Sequence, residues 1–429
     1  MKIPILLIFF SCLIYAQSNS NLNKYIEIVV KNNTGLKPLE ETVESYNYKI
    51  EGAKSNYYPQ LNITGSYTRL SLFGEFAFPY NGKMMNIKFG TPDNYSLRAT
   101  ISQQIFNWGR TSKTVELNEI GENIANTNLE LNRFIISYLV VPLYYSTILF
   151  KESIKIIDEN IKLYQTKIDI LNKRYQEGLA SNFDISLIQF QINLLKSQRE
   201  DLVNNINKFK ISYNQLANRN YTDEFLPDAI LEFEPINQTK NELLKEALIS
   251  RIEFKQFKEQ ENLSKIQIEL SKTGDKPNLN FAFNYELRNG FMPEMDKIKG
   301  NWNASLSFSY PIFDGFKTKY AVEEGISNLK IIDSKKSDFE KNVESEIEQV
   351  LSDLKSIENK ITYEKEKIKH SEISLNIAEE RYKNGLISAT ELIESQNNYS
   401  SAKLNYLQLI YNHIITKYNL YKTIGKPLY

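Results

Sequence analysis

Arg174-Tyr175-Gln176-Glu177-Gly178-Leu179-Ala180-Ser181-Asn182-Phe183-Asp184 decides the fold, because it returns as Arg381-Tyr382-Lys383-Asn384-Gly385-Leu386-Ile387-Ser388-Ala389-Thr390-Glu391. The copies lie 207 residues apart, about half the chain. Each sits between two long runs of helical periodicity, so each reads as the tip of a helical hairpin. Gly178 and Gly385 supply the left-handed backbone that ends a helix. Ser388-Ala389-Thr390-Glu391 spells a capping box that starts the next helix. Ser181 and Asp184 repeat it with a shorter acid.

The repeat extends beyond the tips. Ile105-Phe106-Asn107 matches Ile312-Phe313-Asp314 at the same offset, and Pro59-Gln60-Leu61-Asn62 matches Pro277-Asn278-Leu279-Asn280 at 218. The extra residues belong to a longer loop in the first copy. The expected organisation is a first repeat over 17–219 with its tip at 174–184, a connector over 220–238 carrying Pro227 and Pro235, and a second repeat over 239–429 with its tip at 381–391.

Residues 1–16 read as a secretory signal: Lys2, an apolar run, then Ala16 before a polar Gln17. Cys12, the single cysteine, lies in that run. Either it is removed with the signal, or it is a lipidation site. No later stretch approaches the ~20 uninterrupted apolar residues of a spanning helix.

Four segments change from helical period to period two: 61–73, 95–105, 279–288 and 302–312. Leu279, Phe281, Phe283, Tyr285 and Leu287 alternate with Asn280, Ala282, Asn284 and Glu286; Trp302, Ala304, Leu306 and Phe308 alternate with Asn303, Ser305 and Ser307. Such alternation fits strands with lipid on one side and water on the other, or a soluble sheet with one face on a core. Aromatic residues near strand ends, Tyr95, Trp302 and Tyr310, favour lipid. Residues 74–94, with Phe76, Phe78, Tyr80 and Phe89, are too apolar for a free loop.

From Arg110 to Gln176, and from Lys317 to Asn384, one helical pattern runs for about 67 residues, on the order of 100 Å at ~1.5 Å per residue. Pro142 should bend the first. Near the tip, Ile157, Ile161, Tyr164, Ile168, Leu171 and Tyr175 keep a coiled-coil rhythm. Four membrane strands cannot close a barrel, and an open edge in lipid costs several kcal/mol per unpaired group. Further copies of the chain must complete the wall. Two copies give eight strands and a filled interior; three give twelve and a lumen.

The chain resembles the outer membrane efflux proteins, the TolC-like channels. The resemblance rests on the two-fold repeat, the Ile-Phe-Asn/Asp turns and the paired Arg-Tyr-x-x-Gly-Leu tips. It implies a mainly α fold with a membrane β-barrel portion, in which a homotrimer builds a twelve-stranded barrel in outer-membrane lipid and a periplasmic tunnel of twelve helices. It implies an exit channel for efflux or type I secretion that docks to a periplasmic adaptor (membrane fusion protein) and an inner-membrane transporter. It also implies site residues. Gly178, Leu179, Gly385 and Leu386 match adaptor-docking positions, although the glycines also serve as helix caps. Glu391 and Glu394 match acids that ring the tunnel's constriction, although Glu391 also fits the capping box. Tyr382 and Asp184 match a pair whose hydrogen bond holds the tip closed, although Tyr382 also fits the coiled-coil seam. Ile387 stands where an arginine latch occurs, so that charged latch is absent.

The competing class is a secreted or periplasmic coiled-coil scaffold or adaptor, but two hairpins and four lipid-type strands do not suit it. Lysine plus arginine equals aspartate plus glutamate at 52 each, which gives no field for nucleic acid. No enzymatic motif, metal cluster or cofactor site is evident, and His370 and His413 lack ligand spacing.

Overall fold

The computed structural model describes residues 21–429 apart from Phe73, Leu179 and the side chain of Lys88. The signal segment and Cys12 lie outside the described residues. In order come α1 (residues 21–32), α2 (Lys37–Lys54), β1 (Gln60–Arg69), β2 (Glu75–Tyr80), β3 (Lys83–Lys88), β4 (Asp93–Phe106), α3 (Arg110–Gln176), α4 (Asn182–Leu216), α5 (Lys240–Ser250), α6 (Ile252–Ser271), β5 (Asn278–Arg288), β6 (Lys299–Ser309), α7 (Lys317–Lys383) and α8 (Ala389–Thr423). They fall into two compact units. One takes the chain up to Leu39, Thr127–Lys255 and Lys336–Tyr429; the other takes Glu40–Asn126 and Gln256–Lys335.

The second unit holds an antiparallel sheet in the order β1-β4-β5-β6. Its register sorts the side chains. Across it Leu61 faces Ile101, Ile101 faces Phe283, and Phe283 faces Ala304; beside that row Tyr285 faces Trp302. The alternate residues pair polar to polar, Asn62 with Thr100, Thr100 with Asn284, and Asn284 with Asn303. One face is therefore apolar and open: Leu61, Ile63, Trp302, Leu306 and Phe308 are all exposed. The other is a hydrogen-bonded lattice, in which Thr100 Oγ1 donates to Asn284 Oδ1 (2.7 Å), Asn284 Nδ2 to Asn303 Oδ1 (3.0 Å) and Arg98 Nη2 to Glu286 Oε1 (2.9 Å). The last strand stops at Ser309, short of the expected 312, because Tyr310 precedes Pro311, which has no N–H to give a ladder. The apolar loop is itself a two-stranded ribbon, with Phe76 opposite Ile87 and Phe78 opposite Met85. The chain thus has six described strands where sequence periodicity suggests four.

Among the residues of this unit, Gly121 of α3 lies so close to α2 that a Cβ there would come within 2.3 Å of the Tyr46 ring, whereas Gly52 of α2 has open space around it.

The first unit is built on aromatic packing. Tyr25, Tyr144, Tyr213 and Phe225 form one cluster, with Tyr213 stacked on Phe225 at 4.2 Å. Their hydroxyls do not go unpaired: Tyr144 donates to the Asp228 carbonyl (2.8 Å), and Tyr138 to the Lys426 carbonyl (2.6 Å). These bonds tie the connector and the C-terminal tail to α3. One stretch of α3 is, against the sequence expectation, long and apolar enough to cross a membrane, yet 56% of it is buried inside the protein. The run around Pro142 gives Tyr138, Val141, Tyr144 and Ile148 to the core, so its apolarity is spent on packing. Leu243 and Ala247 of α5 pack on Val343, Ile347 and Val350 of α7 and on Leu420 of α8.

Gly52→Ala should raise stability by about 0.5–1 kcal/mol, the usual gain from replacing a helical glycine. Gly121→Ala should lower it, because the new methyl displaces Tyr46. Paired melting curves that moved in the same direction would contradict this packing.

Candidate functional site

The two helical tips gather most of the residues singled out above. At the second, Gly385 has φ of +70°; its N–H donates to the Tyr382 carbonyl (3.0 Å), and the Leu386 N–H donates to the Arg381 carbonyl (2.9 Å). This pair of bonds is a Schellman motif, which closes the carbonyl end of α7. Gly178 has φ of +73° and donates to the Tyr175 carbonyl (3.0 Å), so α3 ends alike. A Cβ at either glycine would meet nothing within 4 Å. Backbone conformation, rather than crowding, demands glycine here. Leu386 is 71% exposed; Leu179 lies outside the described residues.

Both return helices are capped by the residues that spacing suggests. Ser388 Oγ accepts from the Glu391 N–H (3.3 Å), while Glu391 Oε2 accepts from the Ser388 N–H (2.8 Å) and hydroxyl (3.0 Å). Those bonds, led by the one from the backbone, hold the Glu391 carboxyl below the usual carboxylate range. Ser181 Oγ accepts from the Asp184 N–H (3.2 Å) and donates to Asp184 Oδ2 (2.9 Å).

Tyr382 is half-buried between two apolar clusters. One contains Ile161, Leu171, Ile188 and Ile393, the other Leu375, Ala378 and Leu392. Burial first, and then the charge of nearby Asp184, push its hydroxyl above the usual tyrosine range, with Arg174 opposing. The expected Tyr382–Asp184 hydrogen bond is not made in this structure: Asp184 is taken up by its own cap, and Tyr382 acts through packing. Tyr175, placed in the seam by heptad spacing, is instead 51% exposed. Glu394 is exposed one turn beyond Glu391, with no hydrogen bond or ion pair among the described residues.

A polar joint behind the tips escaped the sequence reading. Gln396 Nε2 donates to Asn160 Oδ1 (2.9 Å), and Ser400 Oγ donates to the same oxygen (3.0 Å). Alongside, Gln191 Nε2 (3.1 Å) and the Tyr164 hydroxyl (3.3 Å) both donate to Asn397 Oδ1. Gln396 and Asn160 are buried, and Gln396 Oε1 has no protein partner. This network joins α8 to both helices of the first hairpin. Lys167 on α3 also reaches Glu379 on α7 (3.4 Å). The available signal was a polar side chain on a seam face: Gln396 follows Leu392 and Ile393 by one turn.

A sheet apolar on one face and hydrogen-bonded on the other, with two long hairpins in tandem, defines a subunit of a membrane channel whose helices extend beyond the barrel. The chain belongs to the outer membrane efflux protein family, whose model matches residues 26–218 and 243–426, and it is accordingly an outer-membrane protein with a large periplasmic part. It is 19% identical, over 95% of its length and 83% of theirs, to the probable efflux pump outer membrane protein TtgC and the antibiotic efflux pump outer membrane protein ArpC, both of Pseudomonas putida. Its fold is similar to that of the CmeC outer membrane channel of Campylobacter jejuni (TM-score 0.73, 17% identity, 95% of this chain and 86% of that one). It is similar also to the MtrE channel of Neisseria gonorrhoeae in its open state (0.73, 16%, 95% and 89%) and to CusC (0.75, 15%, 95% and 92%).

Gly385→Ala places a Cβ in left-handed backbone at a cost of about 1–2 kcal/mol. The Leu386 amide should then exchange with solvent about tenfold faster, read by hydrogen exchange, with no change at Tyr164. Equal protection in both proteins would mean that the cap tolerates a side chain.

Proposed function

We propose that the chain is the exit channel of a tripartite efflux system, acting as a homotrimer that receives substrate from an inner-membrane transporter through a periplasmic adaptor. The observation that carries this reading is the four-stranded sheet with β1 and β6 at its edges and one face that is apolar through its middle. In lipid those edges need partners, and head-to-tail pairing of β6 with a neighbour's β1 supplies them without end. Three copies give twelve strands, with the polar lattice lining the lumen. Efflux is favoured over type I secretion because the relatives are named for efflux pumps.

Within that assembly Tyr382 and Glu394 are the gate, and the two tips are the adaptor surface. Tyr382 wedges α7 against the first hairpin and α8. Glu391 is occupied as a cap, which leaves Glu394 as the carboxylate that three copies would bring together. Such a ring attracts cations. Gly178 and Gly385 shape the tips, and exposed Leu386 offers the adaptor an apolar contact.

In planar bilayers the purified protein should conduct. Tyr382→Ala should raise single-channel conductance and admit vancomycin to cells, Tyr382→Phe should do so far less, and Glu394→Ala should weaken cation preference. Conduction with no response in these variants would remove the gate assignment alone; no conduction, or a monomer in detergent, would remove the channel.

A further inference from the structure

The chain has only two histidines, and they are placed oppositely. His370 is exposed on α7, whereas His413 on α8 is 1% exposed. Neither ring nitrogen of His413 has a hydrogen-bond partner in the protein. The ring lies edge-on to Phe233 of the connector, 4.8 Å between centroids, beside a cavity of about 300 Å³. A buried imidazole without partners is tolerable while neutral and costly once charged.

Charged groups face it from each side. Glu358 on α7 stands 3.7 Å from Nε2, beyond hydrogen-bond reach. Lys417, one turn along α8, is paired with Glu234 of the connector at 2.8 Å. Glu232 of the connector and Lys426 of the C-terminal tail line the same cavity, as do the hydroxyl-bearing rings of Tyr145, Tyr418 and Tyr421. Three carboxylates and two ammonium groups thus surround the ring, and none of the carboxylates accepts a hydrogen bond from it.

We propose that His413 is an acid-sensitive joint, at which the connector comes away from α8 as pH falls below neutrality. Burial is the largest influence on the ring and holds its pKa below the ordinary histidine range; Glu358 and Glu234 oppose, and Lys417 reinforces. The unfolded or opened chain, with an ordinary pKa of about 6.5, takes up the proton first. The stability contributed by the neutral ring is therefore full above about pH 6.5 and drains away as pH falls from there towards the lowered folded value. The ordinary carboxylate range lies below this window.

The test uses the full chain as assembled in detergent. Hydrogen exchange at residues 228–236, corrected for intrinsic rates, and the melting midpoint are measured between pH 7.5 and pH 5.5. The native protein should lose protection several-fold and melt lower at the acid end. His370→Gln should behave like the native protein, and His413→Phe should be flat. Glu358→Gln, which keeps the ring but removes its nearest acid, should leave the onset in place and lose at least as much protection at the acid end as the native protein. Loss of the pH response in His370→Gln, its persistence in His413→Phe, or a shallower loss in Glu358→Gln would each overturn the proposal. If His413→Phe does not assemble, the other two variants decide.

Discussion

The unpaired outer edges of β1 and β6 govern the rest of the design. Each strand spends one side of its backbone on a neighbour inside the chain and leaves the other side open. Water would satisfy those groups at little cost, but hydrocarbon would not. A sheet with apolar side chains through the middle of one face is suited to lipid, where its edges cannot stay open. The duplication in the sequence is laid out to match, since each repeat gives two strands of the sheet and one hairpin.

The joint between the hairpins is held by opposing contributions. Burial of Ile393 and the seam residues around it contributes roughly 1.5–3 kcal/mol per large side chain. Against it stands Gln396 Oε1, buried without a partner at a cost of about 1–3 kcal/mol. The bonds from Gln396 and Ser400 to Asn160 fix which residues meet more than they add adhesion. Such a joint has a defined register and a modest energy of separation.

Much of this was legible from residue order. The tip glycines, both return-helix caps, the 67-residue helices and the alternating faces follow from short-range rules, because each depends on neighbours within a turn or a pleat. One failure involves a contact distant in sequence. Gln396 meets Asn160 across 236 residues, and no local pattern announces the pairing. The β2–β3 ribbon was hidden because its register depends on Asn81-Gly82, both with positive φ, inside a segment dense in aromatics. Pro142 lies inside the apolar run of α3, and the helix continues through it as the long periodic pattern requires. Of the site, the caps were legible in full. The Tyr382–Asp184 bond was not, since spacing does not tell that Asp184 is already engaged by Ser181.

That engagement separates the two tips. Glutamate at position 391 reaches back to the Ser388 amide, so the start of α8 is clasped from both directions. Aspartate at 184 is one methylene shorter and bonds only the Ser181 hydroxyl, which leaves that amide without the returning grip. The near-twin elbows therefore differ in stiffness: the first is hinged by a single strap, the second by a buckle.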